Sequence, residues 1–133
     1  MDRERIFGKL LRMYGPCAFE SKLKHALLRS DFHGLSSEVL AAIERSLAGG
    51  HQYLASQLLP VLARWRPEEA KGLFGRFTSL PAQTPNPLVN VAEAWGYIKT
   101  AESKAALKKL SAHGDNVVAE QARESMKRLS LDS

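Results

Sequence analysis

The chain holds a single cysteine, Cys17, among 133 residues, which excludes an internal disulfide and a metal cluster built from cysteines. Long apolar runs are missing too. The longest, Leu58–Ala63, is far shorter than the roughly 20 residues a membrane-crossing helix needs. The opening Met1-Asp2-Arg3-Glu4-Arg5 is charged throughout and lacks the apolar centre of a signal peptide, so a reducing, cytoplasmic location is expected. No segment alternates apolar and polar residues as a half-buried strand would, and no tract is of low complexity.

Catalytic motifs are equally scarce. His25, His33, His51 and His113 are scattered and none belongs to an HExxH pattern, so they read as ordinary surface or turn histidines. Cys17 follows Gly15-Pro16 near a helix start, which can lower a thiol pKa, but a free cysteine without a base beside it behaves as a small hydrophobe. Glu68 and Glu69 are adjacent, so on a helix they point about 100 degrees apart and complement the positive helix end instead of forming an acid–base pair. Gly49-Gly50 and the glycines of Gly72–Gly75 lack the Gly-Lys-Ser/Thr ending of a phosphate loop. No enzymatic activity, cofactor, metal or small-molecule substrate is expected.

What is present is helical spacing. Ile6, Leu10 and Met13 share a face over Asp2–Tyr14, and Gly15-Pro16 ends that helix. Ala18–Ser30 places Phe19, Leu23, Ala26 and Leu27 inward, and Asp31-Phe32-His33-Gly34 is a turn. Ser36 or Ser37 is expected to cap a helix that buries Val39, Leu40, Ile43 and Leu47 and stops at Gly49-Gly50. His51–Trp65 is apolar over most of its circumference and should be central, with a bend at Pro60. Pro67-Glu68-Glu69 starts a helix to about Leu80 that buries Leu73, Phe74 and Phe77. A stiff proline-rich connection follows, Pro81-Ala82-Gln83-Thr84-Pro85-Asn86, in which Asn86 caps the next helix. Thr100 and Asp115 cap the last two.

Three of these segments repeat. A shift of 31 carries Val91 onto Ala122, Ala94 onto Ser125, Trp95 onto Met126 and Ile98 onto Leu129. A shift of 33 carries Ile98 back onto Trp65, Glu102 onto Glu69, Leu107 onto Phe74 and Leu110 onto Phe77. The segments Val91-Ala92-Glu93-Ala94-Trp95-Gly96-Tyr97-Ile98, Leu107-Lys108-Lys109-Leu110, Asn116-Val117-Val118 and Ala122–Leu129 resemble the HEAT-like helical repeat family in its short bacterial form. The resemblance is best over Asn86–Leu129, weaker over Leu54–Leu80 and poor before that. It implies an all-α domain spanning 1–133, a right-handed solenoid-like stack of about four antiparallel helix pairs, with the clearest repeats in 51–129.

Such a stack implies a scaffold, adaptor or regulatory subunit holding a protein or peptide segment on a concave surface. The alternative is nucleic acid, favoured by seven Lys/Arg against three Asp/Glu in residues 1–30 and seven against four in 99–128. A third class, the HEAT-like lyases that attach chromophores, finds no supporting position. Arg64-Trp65-Arg66 could stack on a base, but Trp65 shares its repeat slot with Ile98 and Leu129, so both Trp65 and Trp95 read as core. Gly96 inside a helix marks a close approach of another backbone. In the resemblance, the second helix of each pair lines the concave side. The outward positions there are Gln57 and Arg64, then Asn90, Glu93 and Tyr97, then Gln121, Glu124 and Arg128. Tyr97 would anchor an acidic or polar segment, with Arg64 and Arg128 orienting it from either side.

Overall fold

The computed structural model describes residues 3–13, 20–78 and 86–132, with side chains over 4–9, 24–77 and 86–130. Among the described residues all regular structure is helical and no strand occurs. The helices are α1 (Arg3–Met13), α2 (Glu20–Leu28), α3 (Ser36–Ala48), α4 (Gln52–Ser56), α5 (Leu59–Trp65), α6 (Pro67–Thr78), α7 (Leu88–Trp95), α8 (Ala101–Leu110) and α9 (Asn116–Asp132). The Gly15-Pro16 stop, Cys17 and the connection 81–85 lie outside the described residues, as do the side chains of Leu10, Met13, Phe19 and Leu23.

Local chemistry sets most boundaries. Thr100 accepts a hydrogen bond from the Ser103 amide at 3.2 Å, and Asp115 Oδ1 accepts from the Val117 amide at 2.9 Å. Asn86 Oδ1 accepts from the Leu88 amide at 2.9 Å. Gly50 takes φ +80 just past α3, a conformation that costs glycine nothing.

Three expectations are corrected. Neither Ser36 nor Ser37 caps α3: a 3-10 turn, His33–Leu35, runs directly into it, and the Ser36 hydroxyl donates back to the His33 carbonyl at 2.7 Å. Pro60 breaks its helix instead of bending it. The proline cannot donate to the Ser56 carbonyl, so α4 ends at Ser56 and α5 restarts at Leu59 with the ring in its first turn. Ile6 is 45% exposed, while its neighbour Phe7 packs on Phe32 at 5.6 Å between ring centroids.

Alternate helices are neighbours in space. α3 lies against α5, α5 against α7 and α7 against α9, while α6 touches α5 and α7, and α8 touches α7 and α9. The core follows this row: Val39 and Ile43 of α3, then Leu58, Leu59, Val61 and Leu62 around the break, then Val91, Ala94, Leu107, Val118 and Ala122. Burying such side chains is the main stabilising contribution, on the order of 2 kcal/mol for each large one. The repeat-related residues Trp65, Ile98 and Leu129 are all buried, as is Trp95, which packs on Phe74 at 4.9 Å. Arg64-Trp65-Arg66 therefore presents no open indole: the ring is buried and stacked under His33.

A tight contact lies at Gly96, just past the end of α7. A Cβ placed there would meet Ser125 Oγ at 2.8 Å and Ser125 Cβ at 2.9 Å. The neighbour is a small side chain, not the second backbone that the sequence reading anticipates. Ser125 in turn donates to the Ala92 carbonyl at 2.8 Å, so α7 and α9 meet through a glycine and a serine with little space between them.

Candidate functional site

The outward positions named from the repeat divide into two groups. Toward α5 they are engaged by the chain itself. Arg64 donates from Nη1 to the Ser30 carbonyl at 2.5 Å and places Nη2 3.5 Å from Asp31. Asn90 is buried at 3% exposure and is not a contact residue. Its amide donates to Ser56 Oγ at 2.9 Å, its carbonyl accepts from Lys24 Nζ at 3.4 Å, and Ser56 passes its own hydrogen to the Tyr53 carbonyl at 2.6 Å. Gln57 sits half-exposed in the turn between α4 and α5 and is not among the residues that line the cleft toward α9.

Lys24 explains that burial. It lies on α2, itself only 6% exposed, and its ammonium reaches Glu93 Oε1 at 2.6 Å as well as Asn90. An ammonium this deep in the protein requires a carboxylate and good hydrogen bonds, and Glu93 and Asn90 supply them. The stripe drawn from α5 and α7 is thus partly covered by α2, which sequence reasoning missed. One signal was available: Lys24 precedes the fully buried Leu27 by three residues and so shares its inward face.

Toward α9 the surface is open. A cleft of about 680 Å³ is lined by His25 of α2, Glu93 of α7 and Gln121, Glu124, Ser125, Lys127 and Arg128 of α9. Four of the residues named from the sequence line it: Glu93, Gln121, Glu124 and Arg128. Gln121 donates to Ser125 Oγ at 3.2 Å, and Glu124 stands 3.6 Å from Lys127 in an exposed pair. The three basic members are a histidine, a lysine and an arginine, set against two carboxylates, so the cleft is of mixed charge.

Tyr97 sits at its edge, half-buried and packed on the core. The Arg128 guanidinium lies over its ring, 4.7 Å from the centroid. Burial holds the Tyr97 phenol above its usual range, Glu93 pushing the same way and Arg128 and Arg64 opposing. Tyr97, Glu93, Arg64 and Arg128 therefore occupy one electrostatic neighbourhood, although they come from α5, α7, the turn after α7 and α9. Tyr97 is covered where the sequence reading made it the exposed anchor, and Arg128 presents the outer surface.

No protein-family model, curated protein or solved structure matches this chain. Among the described residues no helix is long and apolar enough to cross a membrane, and no three His, Cys, Asp or Glu side chains gather as a metal site requires.

Proposed function

We propose that this protein is a non-enzymatic interaction module, a HEAT-like stack in the cytoplasm that holds a protein segment in the cleft between α2, α7 and α9. One observation carries this reading. Side chains from helices far apart in sequence converge on a single cleft of mixed charge, which supports a surface that holds a partner segment. The walls also favour protein over nucleic acid. Glu93 and Glu124 face the same space as Arg128, and carboxylates at those places would repel a run of phosphates.

A photo-crosslinking amino acid at Glu124, compared with one at the exposed Lys104 of α8, tests this. The expected result is protein adducts from a native lysate at position 124, absent at 104 and unchanged by nuclease. Equal labelling at both positions, or adducts that disappear with nuclease, would overturn the reading.

A further inference from the structure

Three arginines of this protein face carboxylates. Arg64 faces Asp31 at 3.5 Å, Arg66 faces Glu69 at 2.8 Å and Arg76 faces Glu44 at 2.6 Å. Arg128 differs. Its guanidinium carbon lies over the Tyr97 ring, 4.7 Å from the centroid, and among the described residues no carboxylate comes within ion-pairing distance of it. A guanidinium uses its face to stack and its edge to donate hydrogen bonds. Contact with the Tyr97 ring restrains the side chain, which removes part of the rotamer freedom that a long cation otherwise loses on binding. Arg128 also lines the cleft.

We infer that the segment bound in this cleft is acidic, with one carboxylate received by the edge of Arg128 in a two-point pair while Tyr97 holds the guanidinium face. This rests on the reading of the cleft as a protein-binding surface. The geometry favours one carboxylate, not a continuous negative track. Arg128 is flanked by Lys127, whose ammonium is 3.6 Å from Glu124, and Lys24 is already taken by Glu93 at 2.6 Å. A partner with a single acidic residue among neutral or basic neighbours meets Arg128 without meeting Glu93 and Glu124 unfavourably. Tyr97 acts as a positioning residue for that pair and not as its direct contact.

The test is titration followed by nuclear magnetic resonance, with three defined probes. These are the capped peptide acetyl-Gly-Gly-Glu-Gly-Gly-amide, the same peptide with glutamine in place of glutamate, and oligothymidylate. The glutamate peptide is expected to shift the Arg128 Nε–H and Tyr97 ring resonances together with the Gln121 and Glu124 amides. The glutamine peptide should leave them in place. Arg128→Gln should weaken the response about tenfold, as should Arg128→Lys, because lysine keeps the charge but loses the planar two-point pairing. Lys127→Gln should retain it within about twofold, since an exposed charge contributes little. Equal shifts with the glutamine peptide, an unchanged response in Arg128→Gln, or stronger binding of oligothymidylate at the same resonances would each overturn the inference. Protein adducts at position 124 that persist while the glutamate peptide fails would remove the acidic partner and leave the interaction surface standing. Loss of both would remove the surface as well.

Discussion

Arg64 and Arg128 occupy equivalent slots of the sequence repeat, with Tyr97 between them, and they have opposite fates. Arg64 is held by the Ser30 carbonyl and Asp31, so it fastens the end of α2 to α5. Arg128 rests on Tyr97 and lines an open cleft. The difference arises outside the repeat. α2 lies on α5 and sends Lys24 to α7, but α9 is left facing the cleft. A repeat therefore places like residues at like positions, while a non-repeated helix decides which of them face outward.

The largest effect tests the α7–α9 contact beneath this surface. Gly96→Leu should cost about 3 kcal/mol, because any Cβ already meets Ser125 at less than contact distance. Urea unfolding measures it, and a variant as stable as the parent would show that α9 moves aside freely. Next comes the fastening of α2. Lys24→Ala leaves Asn90 and Glu93 without their cation, and should cost about 2 kcal/mol, less than for a fully buried pair because Glu93 is still partly in water. A cost below about 0.5 kcal/mol, the usual worth of an exposed pair, would mean that α2 merely rests on the surface.

The two arginines can then be compared directly. Arg64→Ala should lower stability by about 1 kcal/mol through the lost bond to Ser30, whereas Arg128→Ala should change it by about 0.5 kcal/mol or less. Equal costs would dissolve the contrast between the engaged and the open end. The smallest effect is a titration. Because the folded-state pKa of Tyr97 is raised, stability from its neutral form is complete below the unfolded value and is lost as the pH rises through the folded one. Absorbance of the phenolate, with Tyr97→Phe as reference, should place its ionisation above that of an ordinary tyrosine. Arg128→Gln should move it higher and Glu93→Gln lower. A shift in the opposite sense in either variant would separate residues that the structure brings together.

The helices are readable because their cores follow a spacing of three and four: Val39 with Ile43, Val91 with Ala94 and Ile98, Ala122 with Ser125 and Leu129. Caps at Thr100 and Asp115 were readable for the same local reason. The candidate site was only half legible. Glu93, Gln121, Glu124 and Arg128 follow from register alone, but Asn90 shares that register and is buried. Its cover, Lys24, lies 66 residues away, and no periodicity links positions so distant. Helical register says which way a side chain leaves its own helix. It does not say what another helix lays over it.

The long reach of Lys24 has a consequence for the order in which the chain assembles. Its bonds to Asn90 and Glu93 close loops of 66 and 69 residues, whereas the contacts of α5 with α7 and of α7 with α9 close shorter ones. Contacts that close long loops come late, after the local ones have lowered the entropy of the chain. Docking of α2 is then the closing step of folding, and Lys24→Ala should speed unfolding while leaving the folding rate nearly unchanged. The helix that borders the candidate cleft is also the one that the folded protein would release first.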